Sequence, residues 1–371
     1  MTVKLADIDT AGTMAEKISM AGLAHLSGVS RTTVSLALRN HPSISEARRK
    51  QIAALANKHG YTVDPELSKL ARAIQCRSTK NKPAISCLIF NDSAKSGLYA
   101  PYITRFYTTL KDTVERKGFH LDEFHIHRDK ISPQALRRIL IARGIHGLIV
   151  GDHKPNEPFL KEFNFSGFSC ACPQVDETSG GIPSSGSNHF HNTLLALEKT
   201  LRYGYRRPGM IFFSSEYAQN WHWMEGAYYF FIKRNGLKLS PPLVLLEWSD
   251  QSAVDWVEKY RPDVVLASPS HTPKLLHQAG LSVPKDVAYA SLNLQNPNSS
   301  LIAGIDDRIS VRVGAMVDLV IDQMNRNVCG LQRDPVRIFI EGNWVNGDTM
   351  PRIDDPDDKK TRNPKAEFLI V

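Results

Sequence analysis

The chain has 371 residues, 42% of them hydrophobic and 23% charged, which is ordinary for a globular protein with room for one large domain and a small one. No run of about 18 or more apolar residues occurs, which argues against a membrane span, and the start MTVKLADIDTAGTMAEKIS has neither a signal peptide's apolar stretch nor a transit peptide's lack of acids, so a cytoplasmic location is expected. The net charge of +8 is lopsided, with 13 basic and six acidic residues in 1–82 against 33 and 32 in the other 289, and a basic module on a neutral body is the electrostatic footprint of a nucleic-acid binder.

Residues 1–17 lack apolar periodicity and read as a flexible leader. Ser19 can cap a helix over MAGLAHLSG, with Met20, Leu23, Ala24 and Leu26 inward and Gly28 placed for a left-handed end. Ser30 can cap a second helix, RTTVSLALRN, with Val34, Ala37 and Leu38 inward. A third, EARRKQIAALANKHGY, starts at Ser43 or Ser45 and turns Ile52, Leu55 and Ala56 inward. Three short helices with a glycine turn between the first two make a helix-turn-helix. A fourth short helix follows at 65–75, so the module spans 18–75, and 76–83 is polar linker.

Beyond Pro83 strands alternate with helices. Strands are predicted at 84–90, 146–152, 165–172, 208–215, 263–268, 286–293 and 335–345, and helices at 102–119, 133–145, 191–205, 224–237, 272–281 and 310–327. Such alternation means parallel sheets with helices on both faces. The units are too many for one sheet, so residues 84–350 are expected to form two lobes with a cleft. The tail, 351–371, is charged and expected to be disordered. The five cysteines show no CxxC pairing and read as reduced thiols, with Cys170 and Cys172 on one sheet face.

Leu23-Ala24, Ser27-Gly28-Val29-Ser30, Thr33-Val34-Ser35, Leu38 with Asn40, Ile44-Ser45, Arg48, Ile52, Ala56 and Gly60-Tyr61 form an ordered signature over about 45 residues. The segment resembles the DNA-binding domain of the lac-repressor (LacI/GalR) family. Gly147-Leu148-Ile149-Val150, Gly204-Tyr205-Arg206-Arg207 and Gly280-Leu281-Ser282-Val283-Pro284-Lys285-Asp286-Val287 extend the resemblance, more weakly, over most of the remaining chain. It implies a two-lobed, periplasmic-binding-protein-like α/β effector domain whose chain crosses between lobes three times.

In such a reader the second helix enters the major groove with its N-terminal end toward the bases. Arg31, Thr32, Ser35 and Leu36 are then the base-contact candidates, since Arg31 can pair bidentately with guanine and Leu36 suits a thymine methyl. Ser19, Ser30, Thr33 and Asn40 are placed for phosphate, as are helix starts capped at Ser19 and Ser45. The resemblance puts Leu70 where the family inserts a minor-groove leucine, although Asp64-Pro65-Glu66-Leu67-Ser68 replaces the family's Asn-x-x-Ala-Arg pattern and its two acids would repel phosphate; a dimer contact is the other role open to Leu70.

Effector sites of the family lie between the lobes, and sugar-binding members use an arginine and an aspartate at stations that here hold Trp223 and Asn293. Trp221 and Trp223 could stack on a flat ligand or simply pack in the lobe. Asn91, Asp92, Tyr99, Asp152 and Ser268 stand at strand ends facing the expected cleft. No P-loop, GxSxG, HExxH or dinucleotide motif points to an enzyme, and His125-x-His127 and His189-x-His191 read as surface or strand histidines without carboxylates in metal spacing. No catalytic residue, metal or cofactor is expected. The expected partners are a near-palindromic double-stranded DNA operator, a small effector such as a carbohydrate, and a second copy in a homodimer. Apolar strips on 102–117 and 310–325 could serve either as dimer surface or as core. A regulator without a ligand and a solute-binding protein remain the alternatives to a ligand-controlled repressor.

Overall fold

The computed structural model describes residues 18–38, 44–59, 61, 82–90, 100–152, 157–175, 179–213, 221–245, 249–268, 272–298 and 300–353, with Ala100, Phe213 and Trp221 described by their backbone alone. The chain divides into a small unit, Met1–Lys80 with Asn325–Val328, and a larger one, Asn81–Met324 with Cys329–Val371.

The small unit contains α1 (Met20–Ser27), α2 (Arg31–Leu38) and α3 (Glu46–Lys58). Each helix has a narrow apolar stripe that only the other two can cover. Leu23, Ala24, Val34, Ala37, Ile52 and Ala56 are buried together, with Met20, Val29, Leu38, Leu55 and Tyr61 packed around them. Leu26 departs from expectation, being 50% exposed. The inward stripe of α1 is Leu23, Ala24 and Ser27, and the Ser27 hydroxyl is satisfied by donating to the Leu23 carbonyl at 2.7 Å.

The larger unit has two lobes. The first runs β1 (Ala84–Ile89), α4 (Ala100–Arg116), β2 (His120–His125), α5 (Pro133–Ala142), β3 (Gly147–Val150), α6 (Pro158–Glu162) and β4 (Ser169–Ala171). Its strands form a parallel sheet in the order β2-β1-β3-β4. After β5 (Ser184–Ser187), the second lobe runs α7 (His189–Arg202), β6 (Pro208–Phe213), α8 (Trp221–Arg234), β7 (Leu243–Leu245), α9 (Asp250–Tyr260), β8 (Val264–Ala267), α10 (Thr272–Gln278), β9 (Ala288–Ser291) and β10 (Gly304–Asp306). The chain returns through α11 (Ile309–Arg326) and β11 (Arg337–Ile340) and ends in β12 (Asn343–Val345). The second sheet has the order β12-β10-β9-β8-β6-β7, parallel except for β12. β5 and β11 pair in parallel, side by side where the chain passes between lobes.

Side chains alternate across a strand, so a sheet covered on both faces needs apolar residues at every position. Ile85, Cys87 and Ile89 pack on one face of the first sheet, and Leu88, Leu148 and Val150 on the other. Cys170 and Cys172 share a face as expected, with Ala171 opposite. In the second sheet Met210 and Phe212 face away from Ile211, and Ala288 and Ala290 away from Tyr289.

The strips on α4 and α11 prove to be core, for Phe106, Leu110 and Val114 pack with Val313, Met316, Val317 and Val320. The strand expected over 335–345 is two strands on different partners. At the break the Gly342 N–H donates to Asn192 Oδ1 at 2.7 Å, and a side chain on Gly342 would collide with Ile305 and Asp306.

Candidate nucleic-acid interface and inter-lobe cleft

Local chemistry fixes how α2 is presented. The Gly22 N–H donates to Ser19 Oγ at 3.2 Å, capping α1, and Gly28 ends it at φ 63°, a conformation a Cβ would penalise. The Thr33 N–H donates to Ser30 Oγ at 3.0 Å, and the two hydroxyls share a 2.9 Å hydrogen bond. Val34 and Ala37 hold α2 on the core, leaving Arg31 and Thr32 exposed at its first turn, with Thr33, Ser35 and Leu36 half-buried. The Arg48 guanidinium donates to the Ser27 carbonyl at 2.9 Å and to Gln51 at 2.7 Å, tying α3 to the end of α1. Ser45 precedes α3 without a side-chain cap, so the expected hydroxyl cap there does not form. Lys50 pairs with Glu46 at 2.8 Å and, through its hydrogen bond and charge, lowers the Glu46 carboxyl below its ordinary value.

In the larger unit, α4 and the returning α11 meet the second lobe. Arg312 is buried against Asp307, with which it forms an ion pair, and donates to Tyr102 Oη at 2.8 Å. The Tyr102 hydroxyl also lies 3.3 Å from Asp307 Oδ2. Burial opposes the Arg312 charge, but Tyr102 and Asp307 outweigh it and hold the guanidinium above its ordinary value. Burial pushes the Tyr102 phenol up to about 12. Arg105 reaches from α4 to the Leu294 and Gln295 carbonyls at 3.3 and 3.0 Å, with Asp306 at 3.9 Å. At the start of α7, burial, then Arg312 and His222, pull the His189 imidazole down to about 3.

Residues 19–64 match the family of bacterial regulatory proteins named lacI. The match takes in α1, α2 and α3 of the small unit. Among curated proteins, the transcriptional regulator TreR of Salmonella typhimurium is 36% identical over 67 residues, 18% of this chain and 20% of TreR, so the alignment spans only about a fifth of that relative. Two solved structures cover nearly the whole fold. A regulator CelR in complex with cellobiose has a TM-score of 0.54 at 17% identity, over 90% of this chain and 99% of CelR. A lac repressor dimer bound to operator and the anti-inducer ONPF has a TM-score of 0.52 at 15% identity, over 91% and 100%. At such identities the likeness speaks for the two-lobed fold.

Within the matched segment, Ser19, Ser30, Arg31, Thr32 and Thr33 stand at the starts of α1 and α2, while Ser35 and Leu36 lie further along α2. Asn40, Leu70, Asn91, Asp92 and Tyr99 lie outside the described residues, as do the leader 1–17, the fourth helix and positions 354–371. Asp152 follows β3 and is half-buried, and its charge helps raise Tyr102 and Tyr107. Ser268 follows β8, and its carbonyl accepts from Ser291 Oγ at 3.2 Å. The Asn293 N–H donates to the same Oγ at 3.2 Å, one residue before the carbonyls that Arg105 holds. Trp223, near the start of α8, is 43% exposed rather than packed, with the His222 ring 5.4 Å away; Trp221 shares that helix.

His189 and His191 lie on α7, and the His191 side chain is 44% exposed, the surface alternative of the sequence reading. Folding also supplies the carboxylates that spacing did not, since His127 lies 3.4 Å from Glu157 and His191 3.7 Å from Glu341; no group of three metal-ligating side chains forms among the described residues. Sequence reasoning missed Tyr102, Arg105, Asp307 and Arg312. Arg312 could have been found, because it interrupts the buried stripe Ile309, Val313, Met316 of α11.

Proposed function

We propose that the protein is a cytoplasmic transcription regulator, not an enzyme, that reads a near-palindromic operator as a homodimer and has its operator affinity set by a small ligand between the lobes. The observation that carries this is α2, which a three-helix core presents with Arg31 and Thr32 exposed at its first turn. A helix so mounted fits the major groove, with its N-terminal side chains toward base edges. The base contacts are Arg31, Thr32, Ser35 and Leu36, and the phosphate contacts Ser19, Ser30, Thr33 and Asn40. Leu70 is the minor-groove wedge. Among the described residues no helix is long and apolar enough to cross a membrane, which is compatible with this reading.

The effector cleft is assigned to Asn91, Asp92, Tyr99, Asp152, Trp221, Trp223, Ser268 and Asn293. CelR with bound cellobiose supports a carbohydrate or derivative as the ligand class. The second reading, a regulator without a ligand, is favoured by the Arg105 clasp, which joins the lobes through the protein's own groups.

Footprinting on fragments of the source genome near 0.15 M salt tests the main reading. A protected near-palindrome of roughly 14–20 base pairs is expected. Arg31→Ala should weaken specific binding by about 1–3 kcal/mol and relax preference at one base position. Equal weakening on every sequence would instead make Arg31 a phosphate contact. Smearing that vanishes with salt would leave only non-specific binding and overturn the reading.

A further inference from the structure

The first lobe has a concavity of about 670 Å³ whose described lining residues include none assigned to the effector cleft. It opens at the carboxyl edge of the sheet, where Phe90 follows β1 and Ile126 and His127 follow β2. The start of α5 and α6 complete its wall. The volume is that of a small-molecule site, and such sites join apolar walls to a few placed polar groups.

Glu157 is the unusual member. It is 7% exposed, and among the described residues its carboxylate makes two long contacts, 3.4 Å from the Phe159 N–H and 3.4 Å from His127 Nε2. Among the described residues no lysine or arginine forms an ion pair with it, although Lys130 lines the same cavity. A carboxylate offers about four lone-pair sites, so two long contacts offset its desolvation poorly. Beside it stand the Phe90 and Phe159 rings, edge to face at 5.9 Å, with Ile126 and Ile131 along the wall. Glu162 adds a second carboxylate, so the described lining carries two acids beside one lysine and the His127 ring. A buried carboxylate among aromatic rings is the chemistry that holds an ammonium.

We propose that this cavity binds a small organic amine, its ammonium on Glu157 and an aromatic or branched apolar body against Phe90, Phe159 and Ile131. Its described lining residues are none of those assigned to the inter-lobe cleft, and the proposal does not depend on what that cleft holds.

The test uses the full chain, calorimetric titration and two probes of nearly equal shape and opposite charge, phenethylamine and 3-phenylpropionate. The amine is expected to bind with a dissociation constant on the order of 1 mM, normal for so small a ligand, and the carboxylate not to bind. Glu157→Gln, which can still accept from Phe159, should weaken the amine by about tenfold or more. Ile131→Trp fills the cavity from its half-buried wall and should abolish binding with the melting temperature held, which covers the case of a poorly folded Glu157 variant. Equal binding of both probes, no amine binding at tens of its expected dissociation constant, or amine binding untouched by both variants would each overturn the proposal.

Discussion

His189 opens α7, where a helix's free N–H groups disfavour positive charge. Burial, Arg312 and His222 act in the same direction and bring the imidazole to about 3. Between that value and the usual 6.5 the unfolded chain binds a proton that the folded chain refuses. Stability therefore falls as pH drops from about 6.5 toward 3. At pH 5 the loss from this residue is about 1–2 kcal/mol, taking 1.36 kcal/mol per unit and a discount for partial exposure. His189→Gln should flatten the fall in melting temperature between pH 7 and 5. An unchanged slope would mean that other groups set the acid sensitivity. The sequence offered only a His-x-His pair here. The partners that shift His189 lie 33 and 123 positions away, a distance over which no local pattern carries information.

At the scale of elements, legibility followed apolar content. β1, β3 and β8 are runs of buried residues and were read to within a few positions. β2 is HLDEFH, exposed at alternate stretches, and β5 is SSGS, whose strand character comes from pairing with β11 rather than from side chains. Neither was foreseen. β7, β10, α6 and α9 were missed as well; each of the first three spans five residues or fewer. The reader helices were legible because caps, a left-handed glycine and apolar stripes all agree within a short stretch. Such a unit buries little, so each core contact weighs heavily. Ile52 is fully buried on α3 among Leu23, Val34 and Ala56. Ile52→Ala should cost about 2–5 kcal/mol, enough to melt the small unit at moderate temperature. Calorimetry should show an early transition lost or lowered, with the main transition of the larger unit unmoved and operator binding gone. A main transition that moves equally would show that the two units unfold as one.

For the whole molecule, the decisive contacts join residues about two hundred positions apart. Arg105 to Leu294 spans 189 and Arg312 to Tyr102 spans 210. The two-lobed architecture was legible from the strand-helix rhythm, but what holds the lobes together was not. Arg105 donates to two carbonyls and sits near Asp306 while part of its side chain remains in solvent. Bonds to a charged donor contribute about 1.5–3 kcal/mol each when shielded, and exposure reduces that. A net contribution of about 2 kcal/mol is of the size that separates open from closed states in many two-state proteins. Arg105→Ala should then raise the open fraction by about tenfold or more. Small-angle scattering of the unliganded variant should report a larger radius of gyration, and hydrogen exchange should quicken at 293–306, with α5 and α6 unaffected. If a sugar screened by thermal shift closes the variant again, the ligand and the clasp stabilise the same state, as a ligand-controlled regulator requires. If no ligand restores it, the closed state rests on the protein's own contacts, and the ligand-free reading takes its place.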